Sequence, residues 1–200
     1  MGHQNGEHVR FQPMRRAESN PFRSECVTSL PCHFENGSWN EVLTRLDQLG
    51  GRGAVVGPCG SGKTTFLEEL AEILQNRGHR ISFERLNDQN RVPSRDFNRQ
   101  KWIPDDALII DGAEQLSPLQ WQTLKWRVRG AGIFVISTHH AGRLPLLLPT
   151  STSPALARKL VEELGENWPP SEIEALYHAH GGNLRLVLME LYDRVSQKWS

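Results

Sequence analysis

The sequence predicts an α/β fold in which helices flank a parallel β-sheet and a small group of helices follows. Three observations support this class. Apolar runs typical of buried strands alternate with helical segments up to residue 136. After residue 150 only helical patterns occur. A glycine-rich loop joins the first apolar run to a helix, which is a connection found in parallel sheets.

The first predicted elements are a helix and a strand. Ser38 and Glu41 have the spacing of a capping box, and apolar residues follow at helical intervals. Gly50-Gly51 predicts the end of this helix. The apolar run Ala54 to Val56 then predicts the first strand.

The loop after this strand matches the phosphate-binding pattern G-x-x-x-x-G-K-[ST] without a gap. Glycines allow consecutive N–H groups to point at a polyphosphate, and the N-terminus of the next helix favours an anion. Lys63 is predicted to reach the β- and γ-phosphates, and the Thr64 hydroxyl to ligate Mg²⁺. The predicted nucleotide-binding residues of this segment are Gly57, Pro58, Cys59, Gly60, Ser61, Gly62, Lys63, Thr64 and Thr65.

A second motif follows another helix and the predicted strand Ile81 to Phe83. Ala107 to Ile110 is a continuous apolar run that ends at Asp111. Parallel strands end at the same edge of a sheet, so Asp111 is expected near the glycine-rich loop. It is predicted to hold Mg²⁺ through the water shell of the ion. An ordinary Asp-Gly turn is the less favoured alternative. Glu114 is the nearest carboxylate for activating water, although it is equally open that this residue is a solvated part of the loop.

The remaining elements are predicted from serine caps and one more strand. Ser117-Pro118 and Ser153-Pro154 each open a helix, and Ser171 to Glu174 is interpreted as a further capping box. Between the first two helices, the strand Ile133 to Ile136 ends in Ser137-Thr138-His139-His140. Thr138 is predicted to contact the γ-phosphate or the attacking water, with a solvent-exposed strand end as the alternative.

These motifs resemble those of P-loop NTPases of the additional-strand class, close to AAA+ proteins of the origin-recognition, transposition-helper and STAND type. The resemblance covers roughly residues 38–195. It implies that Gly57 to Thr64 is the Walker A motif, Leu108 to Asp111 Walker B and Ile133 to Thr138 the sensor-1 strand. Gly181 to Arg185 is similar to the sensor-2 motif G-N-x-R, which implies that Arg185 reports the γ-phosphate from a helical lid.

Two departures separate the chain from this family pattern. The family usually has Asp-Glu where this chain has Asp111-Gly112, so the usual catalytic glutamate is missing from its position. No arginine finger is recognised, although Arg127 and Arg129 lie at the end of a predicted helix. Hydrolysis is therefore a weaker inference than nucleotide binding.

The leading functional hypothesis is an ATP-binding protein that works as a Mg²⁺-dependent ATPase and nucleotide-controlled switch. Its predicted catalytic residues are Lys63, Asp111, Glu114 and Arg185, and its predicted metal ligands are Thr64 and Asp111. The absence of a guanine-reading N-K-x-D motif favours ATP.

Two alternatives stay open. A small-molecule kinase would use the same loop, with Arg91, Arg95 and Arg99 binding an acceptor or closing over phosphates. A nucleotide-binding module without hydrolysis is the second alternative, and Gly112 in place of an acid favours it.

The resemblance and the composition also suggest an organisation into three parts. We expect a flexible tail at 1–36 that ends in a segment packing near the nucleotide, a core domain at 37–150 and a helical lid at 151–200. The 23 Lys and Arg residues balance the 23 Asp and Glu residues, which argues against coating of nucleic acid by charge alone. Apolar runs are too short to cross a bilayer and the first residues lack a signal segment, so we expect no membrane partner and a cytoplasmic location.

The partners are less constrained. A protein partner or a second copy of the chain is compatible with the family resemblance. Nucleic acid is a further candidate through the segment Arg85 to Lys101, where Phe97 and Trp102 could stack on bases, although a solvated loop is favoured. The three scattered cysteines fit a reducing compartment, and Cys59 could make nucleotide binding sensitive to oxidation.

Overall fold

The computed structural model describes residues 20–23, 26–27, 30–31, 37–94, 97 and 99–198. Five strands form its central sheet. They are β1 (Arg52–Val56), β2 (Arg80–Arg85), β3 (Asp106–Asp111), β4 (Ile133–Thr138) and β5 (Leu146–Pro149). Neighbouring strands are parallel and the order is β2-β3-β4-β1-β5, which confirms the predicted fold class.

Six helices and two short 3₁₀ turns surround or follow the sheet in the described part of the chain. The helices are α1 (Trp39–Gln48), α2 (Lys63–Asn76), α3 (Pro118–Arg127), α4 (Pro154–Glu163), α5 (Pro170–Ala179) and α6 (Leu184–Lys198), and the turns are Ala113–Gln115 and Val128–Gly130. The predicted serine caps at the starts of α1, α3 and α4 are confirmed, because each serine side chain accepts a first-turn N–H. The predicted cap at Ser171 is wrong, since α5 already begins at Pro170.

The sheet separates two apolar cores. Because successive strand residues point to opposite faces, Leu108 and Ile110 pack toward α3, whereas Ala107 and Ile109 pack toward α1 and α2. Burial on both faces explains why β3 and β4 are almost continuously apolar. The same alternation decides which face each polar residue at a strand end occupies.

A third apolar cluster joins α4, α5 and α6, and residues from before α1 contribute to it. Phe22 is 4% exposed within this cluster. The Asn20 side-chain amide donates hydrogen bonds of 3.0 Å to the Tyr192 carbonyl and of 3.0 Å to the Ser196 hydroxyl. Asn20 is thus bonded to α6 and Phe22 belongs to the apolar cluster, whereas most of 1–36 lies outside the described residues. The predicted division into a tail at 1–36, a core at 37–150 and a helical lid at 151–200 stays a prediction.

Strand β4 lies between β1 and β3, so it separates the strand before the glycine-rich loop from the strand that ends at Asp111. The sequence did not predict β5, which is a four-residue edge strand beside β1. Pro145 and Pro149 flank or end it, and prolines are tolerated at a sheet edge but obscure a strand pattern. Both β4 and β5 deliver residues to the edge where the glycine-rich loop lies.

Two aromatic residues proposed for base stacking are core residues. Phe97 and Trp102 are 2% and 6% exposed, and their ring centroids lie 4.9 Å apart. They pack in the core on the α3 side of the sheet. The suggestion that they stack on nucleic-acid bases is therefore wrong, because buried rings present no face to a ligand.

Candidate functional site

The glycine-rich loop between β1 and α2 depends on close backbone approaches. Gly60 and Gly62 have φ values of +72° and +82°, which other residues rarely adopt. A Cβ on Gly57 would lie 2.1 Å from Thr150 Oγ1, and one on Gly60 would lie 2.0 Å from Asn183 Oδ1. The loop is thus enclosed by the connection after β5 and by the start of α6.

Lys63 lies inside this loop. Its Nζ donates hydrogen bonds to the carbonyl oxygens of Gly57 at 2.8 Å and Pro58 at 2.7 Å, and the residue is 8% exposed. Burial lowers the pKa of Lys63, while the charges of Cys59, Glu114 and Asp111 oppose that decrease. The ammonium group therefore faces acidic groups across the site.

Thr64 and Asp111 meet although they lie on different elements. Thr64 Oγ1 at the start of α2 donates a hydrogen bond of 2.7 Å to Asp111 Oδ2 at the end of β3. The other oxygen, Oδ1, accepts a hydrogen bond of 2.5 Å from the Ser137 hydroxyl, which itself accepts from the Gly112 N–H at 2.8 Å. The carboxylate is thus held in one orientation by β4 and α2.

The Thr64 and Asp111 oxygens fit the ligand preference of Mg²⁺. This ion takes hard oxygen ligands in proteins, often one or two carboxylates together with waters and substrate phosphates. Among the described residues there is no group of three or more His, Cys, Asp and Glu side chains that could hold a metal alone. Waters and phosphate oxygens would complete the coordination of a magnesium ion held here.

Glu114 lies at the same edge, on the 3₁₀ turn after β3. Its side chain is 24% exposed, its Oε1 lies 3.3 Å from His139 Nε2, and its Oε2 is buried without a hydrogen-bond partner among the described residues. Its charge also acts on the Lys63 ammonium and on the Arg143 guanidinium. Glu114 is therefore a partly buried acid directed into the site rather than a freely solvated loop residue.

Gly112, directly after Asp111, occupies a position that leaves no room for a side chain. Its φ is +83°, and a Cβ there would lie 2.4 Å from the Leu86 carbonyl oxygen. No other residue type fits without a shift of the backbone. The next carboxylate along the chain is that of Glu114, on the 3₁₀ turn.

The polar end of β4 divides between the two faces of the sheet. Ser137 shares the α2 face with Asp111, whereas Thr138 is 2% exposed and its hydroxyl donates to the His140 carbonyl at 3.2 Å. The Thr138 backbone carbonyl accepts the Gly57 N–H at 3.2 Å. The predicted contact of Thr138 with a γ-phosphate stays a prediction, and the described contacts give its backbone a role in shaping the loop.

The start of α6 touches the loop through Asn183 rather than Arg185. Asn183 Oδ1 accepts the Leu186 N–H at 3.3 Å while it lies against Gly60. Arg185 is exposed and makes no hydrogen bond or ion pair with other described residues. Its predicted role as a γ-phosphate reporter stays a prediction.

Comparison with known proteins supports the fold. No protein-family model matches the chain, and no curated protein matches it. A solved structure of a RuvB mutant from Thermotoga maritima matches with a TM-score of 0.50 and 16% identity. The match covers 80% of this chain and 62% of the RuvB chain, so this chain spans less than two thirds of that protein.

The chain has a RuvB-like P-loop fold. At this identity the likeness establishes the fold alone. Along the described residues, no helix combines the length and the apolar character that crossing a bilayer requires.

Three contributors to this candidate site were given no site role in the sequence analysis. They are the Ser137 hydroxyl on Asp111, the Thr150 hydroxyl 2.7 Å from Ser61 Oγ, and the Asn183 amide beside Gly60. Successive residues of a strand point to opposite faces of the sheet, so the extent of β4 alone puts Ser137 and Thr138 on different faces. Thr150 follows the edge strand β5, which was not predicted, so no local pattern pointed to it.

Proposed function

We propose that this chain binds Mg·ATP and hydrolyses it slowly, as an AAA+-like ATPase that works as a nucleotide-controlled switch. The observation that carries the proposal is the 2.7 Å contact between Thr64 and Asp111 directly beside a P-loop. A hydroxyl and a carboxylate that meet at this position can share one Mg²⁺ with the β- and γ-phosphates.

In this proposal the loop and Lys63 bind the triphosphate. The Lys63 ammonium now bonds two loop carbonyls, and the phosphates would replace these acceptors with charged oxygens. The bound Mg²⁺ would neutralise charge that develops on the phosphate oxygens. Thr64 and Asp111 would hold it, and Ser137 would keep Asp111 oriented.

Glu114 is the proposed base for the attacking water. Its Oε2 is buried without a hydrogen-bond partner among the described residues, and its charge acts on Lys63, which supports a role for this carboxylate near the proposed γ-phosphate position. Hydrolysis should be slow, because the glutamate reaches the site from a 3₁₀ turn rather than from the residue next to Asp111.

The switch involves the contact between α6 and the loop. Asn183 lies against Gly60, and Arg185 is two residues further along the chain. A γ-phosphate that attracts Arg185 would shift α6 relative to the loop, and loss of that phosphate would release it. A protein partner, a second copy of the chain or a nucleic acid that contacts these helices would then distinguish the two states.

The first test is phosphate release from Mg·ATP over a wide range of protein concentration, with Lys63→Ala as the blank. We expect turnover above the blank, and a specific rate that rises with concentration would indicate a site shared between subunits. Glu114→Gln should lower turnover about 100-fold or more while Mg·ATP still binds. Absence of ATP binding by the parent chain would contradict the proposal.

A nucleotide-binding module without hydrolysis is the second candidate. The observation that favours it is Gly112, where the usual glutamate has no space. Tight binding of Mg·ATP with no phosphate release at any protein concentration, and identical behaviour of Glu114→Gln, would support this candidate over the ATPase. The kinase alternative requires phosphate transfer that appears only with an added metabolite.

A further inference from the structure

The P-loop contains a thiol with a base and a carboxylate next to it. Cys59 is exposed, and its Sγ lies 3.4 Å from His139 Nε2. The same ring nitrogen lies 3.3 Å from Glu114 Oε1. A base next to a cysteine can take up the thiol proton and activate the sulfur as a nucleophile. Glu114 can stabilise the imidazole once Nε2 carries that proton.

We propose that Cys59 is a thiol-modification site that exchanges with low-molecular-weight disulfides and thereby blocks the nucleotide site. The inference rests on the proposed function, since it adds regulation to the same loop. It assigns His139 as the base for Cys59, which is a role separate from binding phosphate.

The reaction with a disulfide R–S–S–R exchanges one S–S bond for another and transfers one proton. The Cys59 proton passes to His139 Nε2, and the sulfur attacks one sulfur of the reagent. A new Cys59–S–S–R bond forms, the reagent disulfide breaks, and the departing R–S⁻ takes up the proton as R–SH. Cys59 is oxidised to the mixed disulfide, and the other half of the reagent is reduced.

The surrounding charges suit this reaction. The proton that reaches His139 Nε2 is placed where Glu114 Oε1 can accept a hydrogen bond from it. Negative charge on the Cys59 sulfur would act on the nearby Lys63 ammonium, whose pKa responds to Cys59. Cys26 offers an internal comparison, because it is half-buried and its sulfur contacts Arg23 Nε at 3.2 Å rather than a histidine.

Modification should block nucleotide binding because of where Cys59 lies. The residue is in the loop whose N–H groups would surround the phosphates, two residues before Ser61 and four before Lys63. Asn183 already lies against the neighbouring Gly60, so little free space remains on that side. A glutathione adduct would bring bulk and negative charge into a site for a polyanion.

The test uses the full chain and oxidised glutathione as the probe. After timed incubation and alkylation of the remaining thiols, peptide masses give the rate of adduct formation at Cys59 and at Cys26. We expect Cys59 to react about tenfold faster than Cys26, and His139→Gln to slow Cys59 about tenfold. His140→Gln is the matched control, since His140 is exposed and its side chain has no partner among the described residues.

The consequence for the site is measured with a fluorescent ATP analogue. Its affinity should fall at least about tenfold after modification and return after reduction with dithiothreitol. Cys59→Ser, whatever its own affinity, should bind the analogue equally with and without oxidised glutathione. If His139→Gln is unstable, the rate of adduct formation at Cys59 is compared between Glu114→Gln and His140→Gln instead, and we expect it to be slower in Glu114→Gln.

The outcomes separate this proposal from the proposed function. Equal rates at Cys59 and Cys26, or equal rates in His139→Gln and His140→Gln, would overturn the assignment of the thiol site. Untreated chain that binds no analogue would instead overturn the proposed function, while the peptide masses would still report the exchange. Modified chain with unchanged affinity would overturn the regulatory step.

Discussion

At the scale of single residues, the position of Gly112 next to Asp111 excludes a side chain. Its positive φ is one constraint on any side chain at this position, and the Leu86 carbonyl oxygen, which would lie 2.4 Å from a Cβ, is another. Gly112→Ala should destabilise the protein by about 2 kcal/mol or more, since a left-handed alanine costs about 1 kcal/mol and the overlap adds to it. Urea unfolding of both proteins measures the difference.

Gly78→Ala is the control for this substitution. Gly78 has a φ of +90°, but a Cβ there meets no atom within 4 Å. Its replacement should therefore cost only the conformational part, about 1 kcal/mol. Equal losses at the two positions would show that the Leu86 contact has no energetic importance, and that a glutamate at position 112 is excluded by φ alone.

At the scale of secondary-structure elements, the starts and ends of helices and strands could be predicted from nearby residues. Contacts between neighbouring strands could not. Ser38, Ser117 and Ser153 marked helix starts, because a cap is made with residues three positions away. The end of β3 at Asp111 was equally visible. The contact of Ser137 with Asp111 depends on which strand lies beside β3, and a single strand does not contain that information.

Tyr177 on α5 is hydrogen-bonded to the connection between β5 and α4. Tyr177 Oη donates to the Thr152 carbonyl at 2.8 Å and lies 2.9 Å from the Thr152 hydroxyl. Tyr177→Phe leaves that carbonyl unpaired and should lower the free energy of unfolding by about 1–2 kcal/mol. Thermal or urea unfolding measures the loss.

Tyr192→Phe provides the matched comparison on α6. Within the described part of the chain the Tyr192 hydroxyl has no hydrogen-bond partner, so removing it should change stability by only about 0.5 kcal/mol or less. A Tyr177→Phe variant as stable as Tyr192→Phe would mean that the two Thr152 contacts contribute nothing.

Helices α5 and α6 are also joined by ionic contacts that depend on pH. Glu190 on α6 accepts from Arg194, and its Oε2 lies 2.6 Å from His180 Nε2. These hydrogen bonds, that from Arg194 first, lower the pKa of Glu190 below its ordinary value of 4.5. A carboxylate with a lowered pKa stabilises the fold above pH 4.5, and this contribution is lost as the pH falls through the lowered value.

The melting temperature measured from pH 6 to pH 3 tests this linkage. Glu190→Gln should melt below the parent at pH 6, and the difference should shrink as the pH falls through the carboxylate range. Glu174→Gln, on the exposed face of α5, should follow the parent at every pH. A difference between parent and Glu190→Gln that does not change with pH would contradict an ionic role for Glu190.

At the scale of the whole molecule, the sheet and its cores were predictable because periodicity encodes burial. The packing of Asn20 and Phe22 on α6 was not, since their partners lie more than 150 positions away. Phe97 and Trp102 were misjudged for the same reason, because a polar local context hid their place in the core. Both features therefore depend on contacts across the molecule.

Under the proposed function, the same long-range arrangement would let α6 respond to what the loop binds. Asn183 at its start lies against Gly60, while its later turns carry the apolar cluster with α4 and α5. A ligand at 100 times its Kd stabilises a protein by about 2.7 kcal/mol, which corresponds to a rise of about 5–10 °C in Tm for a chain of this size. With the proposed role of Arg185, a non-hydrolysable ATP analogue with Mg²⁺ should raise the Tm further than Mg·ADP, because ADP lacks the γ-phosphate that this arginine would contact.

Arg185→Ala should abolish the extra rise with the ATP analogue and keep the rise with Mg·ADP. Arg77→Ala is the matched control, because Arg77 is an exposed arginine at the far end of α2 from the loop. Its two Tm shifts should equal those of the parent. If Arg185→Ala retains the full difference between the two nucleotides, the γ-phosphate is not reported through this arginine, and the contact of Asn183 with the loop becomes the remaining route from nucleotide to α6.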